Sequence, residues 1–293
     1  MDETEWLAER FEQHRPRLRA VAYRMLSSLT EAEDAVQDAW IRLSRSKAEQ
    51  IDNLGGWLTT VVARECLHML RSRRRRREVS FEGHLPDPVI TPDGDLDPEH
   101  QALLADGIGL ALLVVLETLS PSERIAFVLH DTFGVPFEEI APIVGRSPAA
   151  SRQLASRARR KVRGESTVPD ADPARQREVV DAFLAASRDG DLGALLAVLD
   201  PDVVLRADPG AAGAPREVRG ARAVAEQARA FSHLGRFSRR ALVNGVAGIV
   251  SRAPGGPTFS VMGFAVASGK ITEIDILADP ERLRLLDLTF LDN

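Results

Sequence analysis

The sequence contains a single cysteine, Cys66, in 293 residues. One cysteine cannot form a disulfide within the chain, and such sparse use is typical of proteins from a reducing cytoplasm. The six histidines and this cysteine are not spaced like the ligands of a zinc site, so we expect no metal and no cofactor.

Long apolar runs are also missing: no segment approaches the eighteen or so residues that a membrane span needs. The N-terminal stretch MDETEWLAERFEQHRPRLRAV is acidic and lacks the apolar centre and small-residue cleavage site of a signal peptide. With 44% hydrophobic and 28% charged residues, the composition indicates a globular cytoplasmic protein with no membrane contact. The length predicts two or three domains.

Acidic residues are absent from one long stretch, although the net charge of the chain is −5. Between Glu139 and Glu165 there is no acidic residue but there are seven basic ones. A second basic block, LRSRRRRREVS, places six arginines in the seven positions from Arg71 to Arg77. Because local patches decide whether phosphates bind, both blocks indicate polyanion binding; the alternative is a solvated helix end.

Residues 5–78 show helical spacing of apolar residues, with a capping box predicted at Thr30 and Glu33. The helix that follows Gly55 and Gly56 is expected to bury one stripe, made of Leu58, Val61, Val62, Cys66, Met69 and Leu70. Residues 79–100 contain four prolines and many acids, which predicts a linker without a helix or an inner strand.

The segment PFEEIAPIVGRSPAASRQLASRARRKV predicts a helix-turn-helix. Gly145 suits the turn, and Ser147 and Pro148 suit the start of the second helix. Three residues are expected to face inward: Leu154, Ala158 and Val162. Arg152 and Gln153 are candidates for reading base edges, whereas Arg157, Arg159, Arg160 and Lys161 suit phosphates. The alternative is a helical hairpin of an ordinary bundle with a solvated basic face.

Residues 174–293 read as α+β, with two helices, a strand at DVVLRA, another helix, and strands separated by turn signals such as Asn244-Gly245 and Ser268-Gly269. An enzyme in this part would need a positioned acid or histidine, and the candidates are Asp202, Asp208, Asp275 and His233. Alternation in ITEIDIL favours Glu273 and Asp275 as ordinary surface acids.

The two basic blocks and their flanks resemble a known family. EAEDAVQDAWIRL and GGWLTTVVARECLHMLRSRRRR resemble region two of an extracytoplasmic-function sigma factor of bacterial RNA polymerase, and residues 116–162 resemble its region four. The tail is similar to a SnoaL-like domain, with linker and C-terminal signatures at HLPDP and DPERL. The glycine-rich signature of that tail is present only in a degraded form, DPGAAG.

The resemblance implies three partners: core RNA polymerase, promoter DNA, and the tail itself in contact with both sigma regions. Core polymerase binding falls on Glu33, Asp34, Gln37 and Asp38. Minus-ten DNA binding falls on Arg64, Arg71, Arg73, Arg74 and Arg75. Minus-thirty-five DNA binding falls on Ser147, Ala149, Arg152, Gln153, Ser156, Arg157 and Arg160. Regulatory contacts of the tail fall on His84, Leu85, Pro86, Asp279, Pro280 and Arg282.

The expected fold is multidomain: two all-α helical domains, the second with a helix-turn-helix, followed by an α+β SnoaL-like cone-shaped domain. The expected boundaries are residues 1–78, a linker at 79–109, residues 110–164, a linker at 165–173, and residues 174–293. The expected function is a non-enzymatic sigma factor that directs transcription initiation and is tuned in cis by its tail. The alternatives are a free-standing, ligand-sensing helix-turn-helix regulator and an enzyme acting on a small apolar substrate.

Overall fold

A computed structural model describes residues 3–46, 51–77, 85–92, 109–165, 172–286 and 288. The described residues form two compact units. The first comprises the N-terminal helices and residues 115–165, and the second comprises residues 172–286 together with 85–92 and 109–114. Among the helices described, none combines the length and the apolar character that crossing a bilayer requires.

Three helices begin the first unit: α1 (Glu3–Leu26), α2 (Leu29–Ser44) and α3 (Leu54–Arg77). The capping box predicted at Thr30 is wrong by two residues, because the helix already begins at Leu29. Its N-cap is Ser28, whose hydroxyl accepts a hydrogen bond from the Glu31 N–H. The predicted stripe of α3 is buried except for Met69, which is half-buried. Cys66 lies at its centre and is fully buried.

Four further α-helices follow among the described residues: α4 (Leu110–Glu117), α5 (Pro121–Phe127), α6 (Phe137–Val144) and α7 (Pro148–Glu165). A capping box between Ser120 and Glu123 begins α5. The predicted turn at Gly145 is confirmed: its φ of 70° is in the left-handed region that glycine adopts without strain. Helices α6 and α7 therefore form the expected helix-turn-helix.

The two helical modules of the first unit pack against each other through a buried arginine. Arg124 of α5 is only 2% exposed. Its guanidinium donates to the Arg24 carbonyl at 3.3 Å, to the Ser27 hydroxyl, and to Glu117 at 2.8 Å. Arg24 in turn lies over the Phe133 ring, 4.9 Å from its centroid. The N-terminal helices and the helices of residues 115–165 thus form one compact unit among the described residues.

The second unit is α+β, as predicted. Its helices are α8 (Pro173–Asp189), α9 (Leu192–Val198), α10 (Ala221–Ala230), α11 (Ser232–Gly235) and α12 (Pro280–Leu283). Its strands are β1 (Ile90–Thr91), β2 (Leu199–Asp208), β3 (Arg216–Arg219), β4 (Ser238–Val243), β5 (Val246–Arg252), β6 (Thr258–Ala267) and β7 (Lys270–Leu277). The strand order is β1-β4-β5-β6-β7-β2-β3, and among the strands described only the β2–β7 pair is parallel.

The predicted hairpin turns are confirmed. Asn244-Gly245 joins β4 to β5 and Ser268-Gly269 joins β6 to β7, with positive φ at all four residues. β1 lies inside the predicted linker, where it forms an edge strand with Ile90 opposite Val243. An edge strand is compatible with the flanking prolines, because only one side of its backbone pairs.

Each face of the sheet has its own apolar core. On one face, α8 and α10 pack on the strands, and Phe183 meets Phe264 edge-on at 5.4 Å. On the other face, Ile90 from the predicted linker and Leu283 from α12 cover Val243 and Val261. Residues 85–92 and α12 are therefore part of this domain's packing.

Candidate nucleic-acid interface

The outer face of α7 is exposed and basic. The Ser147 hydroxyl accepts from the Ala150 N–H at 3.2 Å, so the helix begins where the sequence predicts. The seven residues proposed to meet DNA here are all exposed: Ser147, Ala149, Arg152, Gln153, Ser156, Arg157 and Arg160. Leu154 and Ala158 are buried as predicted, and Ala155 and Ser151 join them. The buried Ser151 hydroxyl is satisfied by the Ser147 carbonyl at 3.0 Å.

Three cations of α7 have partners at their charged ends. Lys161 lies 3.3 Å and Arg157 3.6 Å from Glu123. Burial alone would raise the pKa of Glu123, but hydrogen bonds from Ser120 and the charge of Lys161 outweigh it and hold that pKa below its ordinary value. Arg152 lies over the Phe137 ring, 5.3 Å from its centroid. These contacts orient side chains that remain exposed on the surface of α7.

The basic end of α3 is less uniform than the sequence suggests. Arg64, Arg71, Arg74 and Arg75 are exposed. Arg73 is not: its side chain is 20% exposed and binds Glu31 of α2 in an ion pair. It also donates to the Leu26 carbonyl at 2.9 Å. The alternative interpretation of a solvated helix end therefore fails at Arg73, because a carboxylate of the adjacent helix draws its side chain inward. The side chains of Arg76 and Arg77 lie outside the described residues.

The acidic face of α2 divides into two. Glu33 points toward α1, where Arg15 lies at 2.6 Å and Arg19 at 3.1 Å. The other three residues assigned to polymerase binding, Asp34, Gln37 and Asp38, line a groove of about 470 Å³. Glu65 and Met69 of α3 line the same groove, and sequence reasoning missed Glu65. Glu65 directly precedes the buried Cys66 on α3, and this position indicated only that Glu65 lies outside the buried stripe.

Asp208 connects the predicted linker to the sheet domain. It is 1% exposed, and its carboxylate accepts from the Leu85 N–H at 3.0 Å and the Gly210 N–H at 3.0 Å. Arg282 of α12 donates to Asp208 at 2.9 Å and to the Leu85 carbonyl at 2.7 Å, and it pairs with Asp87. Asp208, the first residue of the degraded glycine signature DPGAAG, is thus the centre of this cluster.

The other members of the regulatory set surround Asp208 and Arg282. Asp279 caps α12 by accepting from the Glu281 N–H at 2.9 Å. Any side chain at Gly210 would overlap the Asp279 carboxylate. Pro86 is buried and Pro280 is exposed. His84 lies outside the described residues.

The acids considered for catalysis are not brought together into a reactive site. Asp202 and His233 are exposed, and Asp208 is held as described above. The prediction that Glu273 and Asp275 are surface acids is wrong. Both are buried, because Arg206 of the neighbouring strand lies 2.7 Å from Glu273 and 3.3 Å from Asp275.

Burial has a large effect on Asp275. It raises the pKa of Asp275 to about 7, with the charge of Arg206 opposing the rise and that of Glu273 adding to it. The arginine that makes this burial tolerable was missed from the sequence, since Arg206 pairs with residues almost seventy positions away. Within the described ranges, no cluster of histidine, cysteine, aspartate or glutamate could hold a metal ion.

Comparison with known proteins gives consistent findings. The Sigma-70 region 2 family matches residues 10–76 and the Sigma-70 region 4 family matches residues 109–162. The chain is 39% identical over 288 residues to the ECF RNA polymerase sigma factor SigJ of Mycobacterium tuberculosis, covering 93% of this chain and 91% of that protein.

A second relative and a crystal structure extend the comparison. The chain is 38% identical over 279 residues to a probable ECF RNA polymerase sigma factor, SigI, of the same organism, covering 92% of each. The crystal structure of the SigJ protein of M. tuberculosis superposes with a TM-score of 0.79 at 35% identity, covering 96% of this chain and 99% of that one. The likeness therefore includes the sheet domain as well as the helical modules.

Proposed function

This chain belongs to the ECF RNA polymerase sigma factors, and we propose that α3 and α7 divide the recognition of one promoter between them. As a sigma factor, the protein binds core RNA polymerase and directs promoter recognition and transcription initiation. Membership of this family favours that function over a free-standing regulator. In our proposal α7 binds the minus-thirty-five element and α3 the minus-ten element.

The observation that carries the proposal is the exposed face of α7, which contains no acidic residue from Ser147 to Arg163. A helix of this kind enters the major groove with its N-terminal residues against the bases. Arg152 and Gln153 are then the readers, because arginine pairs bidentately with guanine and glutamine with adenine. Arg157 and Arg160 lie further along the helix and suit phosphates.

At the minus-ten element, the exposed arginines of α3 suit the DNA backbone. Strand separation there requires a base to leave the stack, which costs a few kcal/mol. Phosphate contacts from Arg64, Arg71, Arg74 and Arg75 offset part of that cost. Arg73 positions α3 against α2 through its bond to Glu31 and so acts on DNA binding indirectly.

For polymerase binding we propose the groove between α2 and α3. Its lining contains the acids Asp34, Asp38 and Glu65 and the apolar Ile41 and Met69. His68 and Arg73 also line it, and Arg73 is paired with Glu31. Such a groove fits a basic helical segment with apolar residues along one side. Glu33 has a different role, as it fixes α1 to α2 through Arg15 and Arg19.

The sheet domain tunes this activity in cis by holding the segment that joins the two sigma regions. Support comes from the bonds that Asp208 and Arg282 make to Leu85 and Asp87. The domain is not an enzyme in this proposal, since its buried acids are occupied by Arg206 and Arg282. The setting that fits these roles is the cytoplasm.

In vitro transcription with purified core polymerase and a pool of genomic promoters tests the proposal. The full chain should stimulate initiation at a subset of promoters. Arg152→Ala should change which upstream element is preferred, by about 1–3 kcal/mol at one base pair. Arg216→Ala, at an exposed site on β3, is the matched control and should leave the preference unchanged. No stimulated initiation from any promoter would reject the proposal.

A further inference from the structure

A second acid-free stretch lies in the sheet domain, from residue 227 to residue 272. These 46 positions contain no aspartate or glutamate and six lysines or arginines. Half of these positions lie in β4, β5 and β6. Residues 229–240 run from the end of α10 to the start of β4, and we call them the α10–β4 segment. Three of its arginines are exposed: Arg229, Arg236 and Arg239.

Several basic residues of the domain are held by carboxylates. Arg206 and Arg282 are tied to carboxylates, and Arg240 pairs with Asp181 at 2.9 Å. Within the part of the chain that the structure describes, no carboxylate pairs with Arg229, Arg236 or Arg239. Their charge is therefore available to an external partner.

The α10–β4 segment is held in a fixed position. Arg188 at the end of α8 donates to the Gly235 carbonyl at 3.0 Å and to the Ser238 carbonyl at 2.6 Å. Between Arg229 and Arg236 lies Phe231, which is 52% exposed and is one of the most exposed large apolar side chains of the described residues. Arg236 lies over the neighbouring Phe237 ring, 4.5 Å from its centroid. Exposed cations on the same segment as a solvent-facing aromatic ring are typical of surfaces that contact nucleic acid.

We propose that the α10–β4 segment is a third DNA-binding surface, on which Arg229, Arg236 and Arg239 contact the phosphate backbone of promoter DNA. The inference rests on the proposed function, which brings DNA to this protein, but it assigns a contact to the domain outside the two sigma regions. The contact is independent of base sequence, because phosphates carry no sequence information. Phe231 adds an apolar contact to sugars or bases.

The test is the salt dependence of DNA binding by full-length protein in complex with core polymerase. Each lost phosphate contact should lower the slope of log K against log salt by about 0.9 on duplex DNA. The triple variant Arg229→Ala, Arg236→Ala, Arg239→Ala should lose about 2 to 3 from that slope. It should lose the same amount on a promoter and on a random duplex.

The matched control is the triple variant Arg216→Ala, Arg219→Ala, Arg222→Ala, which removes the same charge from exposed positions of the same domain. Arg219 and Arg222 are already paired with Glu217 and Glu226. This control should keep the wild-type slope. Unchanged melting temperatures of both variants would show that the domain is folded.

Two outcomes would overturn the inference. In the first, both triple variants have the same slope. In the second, the Arg229 variant binds core polymerase more weakly in the absence of DNA and keeps its DNA slope, which would assign the surface to polymerase. Failure of the wild-type chain to stimulate initiation would instead reject the proposed function, so the two failures are distinguishable.

Discussion

At the scale of single residues, Asp275 shows the effect of burying two carboxylates beside one arginine. The chain folds with Asp275 2% exposed, next to Glu273 and within reach of Arg206. Its raised pKa of about 7, against 3.8 for an ordinary aspartate, means that the folded chain keeps a proton that the unfolded chain releases. Stability therefore falls as the pH rises from about 4 through about 7.

Replacing Asp275 by asparagine should remove this pH dependence. The amide keeps the shape of the side chain and never ionises. At pH 8, Asp275→Asn should therefore have a higher free energy of unfolding than the wild type. One pKa unit corresponds to about 1.4 kcal/mol, so the gain should be roughly 2–4 kcal/mol. Chemical unfolding at pH 5, 6, 7 and 8 measures it. Asp202→Asn, at an exposed aspartate of β2, is the control; equal pH profiles for the two variants would contradict the prediction.

Arg73 and Arg74 are neighbours with different roles, which predicts different effects of alanine. Arg73→Ala leaves Glu31 and the Leu26 carbonyl without this partner and should lower the free energy of unfolding by about 1–2 kcal/mol. Arg74→Ala should change stability by less than about 0.5 kcal/mol, because the side chain is exposed.

The DNA effects of the same pair should be reversed. Arg74→Ala should lower the salt slope of holoenzyme binding to a promoter by about 1, the effect of one phosphate. Arg73→Ala should lower the salt slope by less than Arg74→Ala does, when both variants are measured at a temperature where both are folded. Equal stability of the two variants would reject the supporting role of Arg73.

At the scale of secondary-structure elements, the turn between α6 and α7 depends on one glycine. Gly145 has a φ of 70° and no atom within 4 Å of the position that a Cβ would take. Alanine there meets backbone strain and no clash, so Gly145→Ala should cost about 1–2 kcal/mol. Because the strain tilts α7, binding to the upstream element should weaken more than binding to a random duplex.

Gly134→Ala is a close control for that variant. Gly134 has a φ of 68° with equally open surroundings, but it precedes α6 and does not set the angle between α6 and α7. Both variants should lose similar free energy of unfolding in a denaturant titration. Only Gly145→Ala should change the ratio of specific to random DNA binding, and an unchanged ratio would show that the turn tolerates the strain.

The elements also show what the sequence could and could not predict. Local patterns gave the helix-turn-helix, because the glycine turn, the Ser147 cap and the spacing of Leu154 and Ala158 all lie within one short segment. The burial of Asp275 escaped prediction, since strand alternation indicates which face a residue shares and not what covers that face. Its partner Arg206 is sixty-nine residues away, and such pairings are fixed only by sheet topology.

At the scale of the whole molecule, the segment between the sigma regions is built into the sheet domain. β1 adds to the sheet edge, the Val89 N–H donates to the Asn244 side chain at 2.9 Å, and the Leu85 N–H donates to Asp208. The prolines in this segment predicted a linker, and they do prevent a helix. They did not reveal that the segment has partners more than a hundred residues away.

Arg282→Gln should release this segment from the sheet domain. The change leaves Asp208 buried with one ionic partner fewer and frees Asp87, so docking of residues 85–92 should weaken by about 1.5–3 kcal/mol. Amide hydrogen exchange in a peptide that covers Leu85 and Val89 should then be roughly 10- to 100-fold faster, while exchange in α7 stays unchanged. Arg284→Gln, at an exposed arginine two residues further on, is the control.

If the domain tunes initiation through this segment, Arg282→Gln must also change transcript yield at fixed core polymerase, in either direction. Faster exchange with an unaltered yield would separate the docking from regulation and leave the sheet domain to act on DNA or polymerase through another surface.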